Sequence, residues 1–318
     1  MMQSRALCLS TKPGASLHYS THPASPEHGP FSTTLVVFLN GLLLPRSSWA
    51  PAVESLISTR SRRPLPHFLT YDRYGQGDSD LDPADGDPPR PYGHDACTVA
   101  TDLHQFLIQF CEADLHTSLD RIALVFVCNS IGCPIARLYA AKHPGRVAAY
   151  VFLDSMMANT DFVSMFPDPD ADGFDEHSLP ADIDVETLRA ARQKYRDMFH
   201  PTVPNAEHFD RRNLADLLPF ANAPELPSGP AGPGGRDPYL IVVGHDPEAF
   251  AEQSETGSLQ IPKAITNAYV KPVWEAYNKD LTQLLRSSNH VKGPVFAKNC
   301  GHFIQRDDPE FVAEELER

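Results

Sequence analysis

Apolar residues along this chain gather into short continuous runs, and stretches with a helical period lie between them. The runs are Leu35–Asn40, His67–Asp72, Ile122–Cys128, Val147–Asp154, Tyr239–Gly244 and Gly293–Ala297. Runs this short, rich in β-branched and aromatic residues, predict strands buried on both faces, as in a parallel sheet covered by helices. Before the third run, Val99, Leu103, Phe106, Leu107 and Phe110 fall at i, i+4, i+7, i+8 and i+11, which is one face of a helix. A last helix, opened by Asp308-Pro309, carries Phe311, Val312 and Leu316, and proline suits its first turn. At the start of the chain, "ALCLS" and "SLHYS" on either side of Thr-Lys-Pro-Gly-Ala predict a hairpin.

The alternation breaks once. Residues 155 to about 228 carry helical patterns ("VETLRAARQKYRDMF", "RRNLADLLPF") and no convincing strand, and the stretch closes in "PSGPAGPGGRDP". The predicted organisation is therefore an α/β core in two parts, 1–155 and 231–318, with a helical cap or lid of residues 156–230 inserted between them. The expected sheet is mostly parallel and flanked by helices. No internal repeat is visible.

Composition narrows the class without naming it. The 318 residues suffice for a sizeable core, and 42% hydrophobic with 21% charged residues is ordinary for a globular chain. A net charge of −14 argues against nucleic acid or an anionic membrane as partner, because both repel an acidic surface. Thirty prolines against eighteen glycines predict long rigid connections. The six cysteines have neither CxxC nor zinc-like spacing and read as reduced thiols. The N-terminus "MMQSRALCLSTKPG" has no signal-peptide apolar region, and no apolar run would cross a bilayer, so a cytoplasmic protein is expected.

Chemistry first surfaces at Cys128-Asn129-Ser130-Ile131-Gly132, where a strand pattern stops at a serine and a helical pattern starts at once. Strand, x-Ser-x-Gly, helix is the layout of a nucleophile elbow, a strained turn that exposes the serine Oγ above the sheet. Gly132 supplies the small residue that close helix–strand approach requires. Ile131 offers a backbone N–H to an oxyanion, aided by the helix dipole. The plainer alternative is that Ser130 caps the helix. Cys128 stands where this motif has its first glycine. A nucleophilic serine needs a base oriented by a carboxylate. His302, in "VFAKNCGHFIQRDDPEFV", sits in a loop after a strand and before the final helix, with Gly301 allowing the sharp turn.

Together, "VVFLNGLL", "YDRYGQGDSD", "CNSIGCPIARLYAAKHPGRVAAYVFLDS", "VVGHD" and "CGHFIQRDDPEFV" resemble the α/β-hydrolase superfamily in its capped esterase and epoxide-hydrolase-like branch. The resemblance covers roughly residues 33–155 and 237–316. It implies Ser130 as nucleophile and His302 as base. It places the acid after the strand that follows the lid, where Asp246 stands, or less often after the strand before the lid, where Asp154 stands. Asp246 is the favoured candidate, Asp154 the alternative and Glu248 a third. The resemblance implies oxyanion donors at Ile131 and at Leu42, just past Asn40-Gly41; Asn40 replaces a common histidine. The Asp72–Ser79 segment resembles a structural turn of the family.

Other features carry less. "DPDADGFDE" (Asp168–Glu176) opens like a calcium loop, but its twelfth position is Leu179 rather than glutamate. Cys128 and Cys133 flank the serine, though neither a bridge nor a Cys128 nucleophile is expected. Met156, Met157, Phe162, Met165, Phe166, Tyr195, Met198 and Phe199 fit either an apolar substrate cavity or plain core under the lid.

The expected activity is hydrolysis of a small to medium apolar ester, lactone or thioester through an acyl-enzyme, with no metal or organic cofactor. The alternatives are C–C bond hydrolysis or a lyase reaction on the same triad, and a non-catalytic small-molecule receptor. Epoxide chemistry is disfavoured, since those relatives need an aspartate where Ser130 stands. The expected partner is a small molecule, and a homodimer is left open.

Overall fold

The computed structural model describes residues 2–25, 30–60, 63–229 and 237–317. The glycine-rich middle of the expected linker, with the expected boundary at 230/231, lies outside these residues. Among the described residues, eight strands build one sheet: β1 (Gln3–Leu9), β2 (Lys12–His22), β3 (Thr34–Leu39), β4 (His67–Tyr71), β5 (Ala123–Ser130), β6 (Val147–Ser155), β7 (Tyr239–His245) and β8 (Val291–Ala297). Their order is β1-β2-β4-β3-β5-β6-β7-β8. The pairs β1–β2 and β2–β4 are antiparallel, and every pair from β4–β3 to β7–β8 is parallel. Each of the six apolar runs is a strand within two residues of its expected ends.

Among the described residues, ten α-helices accompany the sheet. They are α1 (Ala50–Thr59), α2 (Ala96–Ala113), α3 (Gly132–Lys142), α4 (Val185–Phe199), α5 (Leu214–Leu217), α6 (Pro247–Thr256), α7 (Lys263–Ile265), α8 (Lys271–Leu281), α9 (Ile304–Asp307) and α10 (Pro309–Glu317). A π-helical turn, Thr266–Val270, joins α7 to α8. Between β6 and β7 the described residues hold helices and turns but no strand, as expected.

The central strands are buried on both sides, and their residues alternate between two apolar layers. Leu35, Val37 and Leu39 of β3 join the layer that contains α2 and α3 residues, with Leu124, Phe126 and Cys128 of β5. Val36 and Phe38 join the opposite layer with Val53 of α1, Val127, Val151 and Val312 of α10. This period of two, apolar on both phases, is why the runs are continuous rather than alternating. The α2 stripe predicted from Val99 to Phe110 is buried throughout.

The hairpin departs from expectation in its turn. Ser10 and Thr11 make a two-residue connection, and Lys12 already pairs with Leu9. Lys12, Pro13 and Gly14 belong to β2, where the register shifts between Cys8 and Leu9. The irregularity absorbs a proline that regular sheet pairing would not take.

Candidate active site

The parallel strands β5, β6 and β7 and the loop after β8 bring the candidate side chains together at their C-terminal ends. Ser130 ends β5 with φ of +55°, a left-handed conformation that is uncommon and costly for a residue with a Cβ. α3 begins two residues later and comes close to β3. A Cβ on Gly132 would lie 2.5 Å from the Leu39 carbonyl oxygen, so glycine is required there. A Cβ on Gly41 would come within 3.0 Å of Asn129 Oδ1 and 3.3 Å of Ser130 Cβ, so the loop after β3 also abuts the elbow.

Asn129 ties the neighbourhood together. Its Nδ2 donates to the Leu153 carbonyl at 3.0 Å and to the His302 carbonyl at 3.0 Å, while Gln305 Nε2 donates to its Oδ1 at 3.2 Å. The residue beside Ser130 therefore fixes both the end of β6 and the histidine loop. Sequence reasoning passed over Asn129, because a polar residue in a motif shows nothing of its partners.

The structure corrects the expected carboxylate. Asp154, not Asp246, reaches His302: the distance from His302 Nδ1 to Asp154 Oδ2 is 2.5 Å. Between β5 and β6, Asn129 pairs with Leu153 and Ser130 pairs with Ser155, so Asp154 is the extra residue of a β-bulge opposite the elbow. A bulge re-aims a side chain, and Asp154 adopts φ of +45° to do so. Asp246 instead caps α6, accepting from Glu248 N at 3.0 Å, and accepts from Asn299 N at 2.9 Å. Aspartate followed by Pro247 and Glu248 is a helix-start signature, so the signal against Asp246 was present in the sequence. Glu248 is exposed in the first turn of α6.

Asp154 is fully buried and has a second partner that the sequence did not suggest. His245, the last residue of β7, places Nδ1 2.8 Å from Asp154 Oδ1 and donates its backbone N–H to the same oxygen at 3.2 Å. Burial alone pushes this carboxyl up. The charge and hydrogen bond of His245, then those of His302, outweigh it and draw Asp154 down to about 2. An ionised carboxylate only accepts, so each imidazole carries a proton on the Nδ1 that faces it.

The loop after β3 is braced by a polar network. Asn40 donates to the Tyr71 carbonyl and to Gln76 Oε1, both at 2.8 Å, and accepts from Trp49 Nε1 at 2.8 Å. Arg73 donates to the Asn40 carbonyl at 2.9 Å and the Gly41 carbonyl at 3.0 Å, and pairs with buried Glu207 at 2.7 Å. Glu207 comes from the β6–β7 segment and also accepts from the Leu43 N–H and from Gln76 Nε2. Among the described residues, the N–H groups of Leu42 and Ile131 have no hydrogen-bond acceptor. Arg73 and Gln76 belong to the Asp72–Ser79 turn, where Asp72 accepts from Arg46 N at 2.5 Å and Ser79 Oγ donates to the Asp72 carbonyl.

The remaining candidates fall away from the site or into the core. Cys128 is wholly buried; burial and then Cys133 push its thiol well above the ordinary value, against thiolate chemistry. All six cysteines are free. In the acidic loop, Asp168 pairs with Arg192 and Asp170 with Arg189, so α4 already neutralises these carboxylates. Phe166, Tyr195 and Phe199 pack ring on ring, with Met156 and Met157 buried, whereas Met198 is exposed and lines nothing there. Among the described residues, Asp82, Asp85 and His94 are the group gathered closely enough to suit a metal. The Lys12 ammonium, 2.6 Å from both Asp82 and Asp102, already serves this cluster as a cation.

The sequence profile of the Alpha/beta hydrolase family matches residues 36–315. The chain belongs to the alpha/beta hydrolase family, whose name supports hydrolysis as the class of chemistry. Among solved structures it is similar to Cfl2 from Burkholderia cenocepacia, at 17% identity and a TM-score of 0.51, covering 99% of this chain and 95% of that one. It is also similar to the epoxide hydrolase VrEH1 from Vigna radiata, at 13% identity and a TM-score of 0.54, covering 99% and 96%. Alpha/beta hydrolase domain-containing protein 10 from mouse matches at 14% identity and a TM-score of 0.54, covering 99% and 97%. At these identities the likeness is one of fold. No curated protein matches the sequence. Among the described residues, no helix is long and apolar enough to cross a membrane.

Proposed function

We propose that this protein is a serine hydrolase cleaving a small to medium apolar ester, lactone or thioester, with Ser130, His302 and Asp154 as its triad. The observation that carries the reading is the 2.5 Å contact between His302 Nδ1 and a buried Asp154, formed beside a serine held at φ +55°. In this reading, Ser130 Oγ attacks the acyl carbon while its proton passes to His302 Nε2. Asp154 keeps the Nδ1 proton in place and stabilises the imidazolium. The N–H groups of Ile131 and Leu42 receive the oxyanion. Collapse of the tetrahedral intermediate expels the alcohol or thiol, which takes the proton from His302. Water, giving its proton to His302, then attacks the acyl-enzyme, and the acid leaves as Ser130 recovers its proton.

Residues 156–230 act in this reading as the cap, and its Phe166, Tyr195 and Met157 are buried in the apolar core. Epoxide chemistry is not proposed, because a serine rather than an aspartate occupies the elbow. The test is turnover of short p-nitrophenyl esters by the parent and by Ser130→Ala. Turnover with a transient acyl adduct, lost in the variant, supports the reading. Saturable ligand binding with no turnover in either protein would replace it with the receptor.

A further inference from the structure

The strand end from which the resemblance expected an acid supplies a histidine instead. His245 is 4% exposed, and its ring lies between Phe250, stacked at 4.2 Å and 21°, and Trp274, edge-on at 5.1 Å. The same indole stands edge-on to His302 at 5.5 Å and is itself fixed by Nε1 donating to the Ser155 carbonyl at 3.1 Å. Each oxygen of Asp154 thus has its own imidazole: His302 on Oδ2 and His245 on Oδ1. The two rings are locked in one frame by Trp274.

We propose that His245 is a positioning residue that holds Asp154 in a His302–Asp154–His245 array and sets how basic His302 becomes. The proposal rests on the serine-hydrolase reading. The bulge leaves Asp154 on a strained backbone, and His245 supplies two donors, side chain and main chain, that stop its carboxylate from turning. A carboxylate that shares its charge between two donors also accepts less strongly from each, so it stabilises the His302 imidazolium less than an unshared carboxylate would. Among the described residues, the titratable groups against His245 are Asp154 from β6 and Asp246, the next residue; His302 meets the same Asp154 from the loop after β8, while α6 packs Phe250 and α8 packs Trp274 on the ring.

Two substitutions separate donation from packing. His245→Phe keeps an aromatic ring against Phe250 and Trp274 and removes the donor. His245→Asn keeps a donor near the Nδ1 position and removes the ring. The full-length variants are assayed on a p-nitrophenyl ester across pH, and the His302 imidazole is titrated by NMR.

The expected result for His245→Phe is a kcat about ten- to a hundredfold lower with KM little changed. Its acid limb of kcat/KM moves to higher pH by about half a unit, and the His302 titration moves with it. His245→Asn keeps the parental limb. A His245→Phe variant with parental kcat, limb and titration overturns the proposal. So does a limb that moves equally in both variants, since the ring alone would then matter. If parent and Ser130→Ala are equally inert, the serine-hydrolase reading fails on that comparison. The NMR titration still decides here: a shift confined to His245→Phe supports the array, and its absence overturns it.

Discussion

Ser130 and Asp154 are both held at positive φ, one at the end of β5 and the other in the bulge of the strand beside it. Strain at two adjacent, buried, non-glycine positions is retained only where the surrounding contacts impose it, and such positions concentrate at working sites. The separate jobs of the two aspartates make a direct comparison. Asp154→Asn should lower kcat by about a thousandfold or more, because the amide no longer fixes the His302 tautomer. Asp246→Ala should leave kcat near the parent value and cost ~1 kcal/mol in stability as a lost helix cap, read from thermal unfolding.

Asp154 also shapes acid stability. Its folded value is depressed to about 2. Its contribution is therefore fully present above the unfolded carboxylate range, near ~3.9, and is lost as pH falls through the folded value. Urea midpoints between those limits should decline more steeply in the parent than in Asp154→Asn. At this scale the tight turn at Ser130 and the loop carrying His302 were legible in the sequence, since both are local patterns. That Asp154 rather than Asp246 meets His302 was not, because a bulge and a partner across the sheet leave no local mark.

Between elements, the contact that matters most for the site is buried Glu207. It reaches from the β6–β7 segment to Arg73, Gln76 and the Leu43 N–H, so it joins that segment to the loop after β3. Removing one partner of a buried ion pair leaves the other charge uncompensated. Glu207→Ala should lower stability by ~3–5 kcal/mol. At a temperature where the variant is still folded, it should also slow acylation more than it raises KM. Glu207→Gln, which keeps an acceptor for Leu43, should recover part of the acylation rate. Equal rates in all three proteins would show the brace to be irrelevant to the loop. α4 was legible to the residue from its helical pattern, and the structure adds an Asp184 cap that accepts from Thr187 N at 2.7 Å. The π-helical turn leading into α8, and with it Trp274, was not, because a change of helical period over five residues has no simple apolar signature.

For the molecule as a whole, the apolar runs were sufficient to recover six parallel strands. Each such strand is buried on both faces, and continuous hydrophobicity is the direct consequence. The placement of the β6–β7 segment was hidden for the opposite reason: polar anchors hold it. Buried Arg137 of α3 donates to the Phe220 and Ala223 carbonyls at 2.8 and 2.6 Å, and Arg211 collects the carbonyls of Phe199, His200 and Val203. In sequence, arginines of this kind read as surface charge. Glu207 ties the segment to the loop after β3 and Arg137 ties it to α3, and Ser130 is only 3% exposed.

The central claim is that Ser130 is an activated nucleophile, and intact mass after incubation with a fluorophosphonate tests it most directly. The account predicts one adduct on the parent, mapped to Ser130, and none on Ser130→Ala. An unmodified parent, or equal labelling of parent and variant, would contradict it.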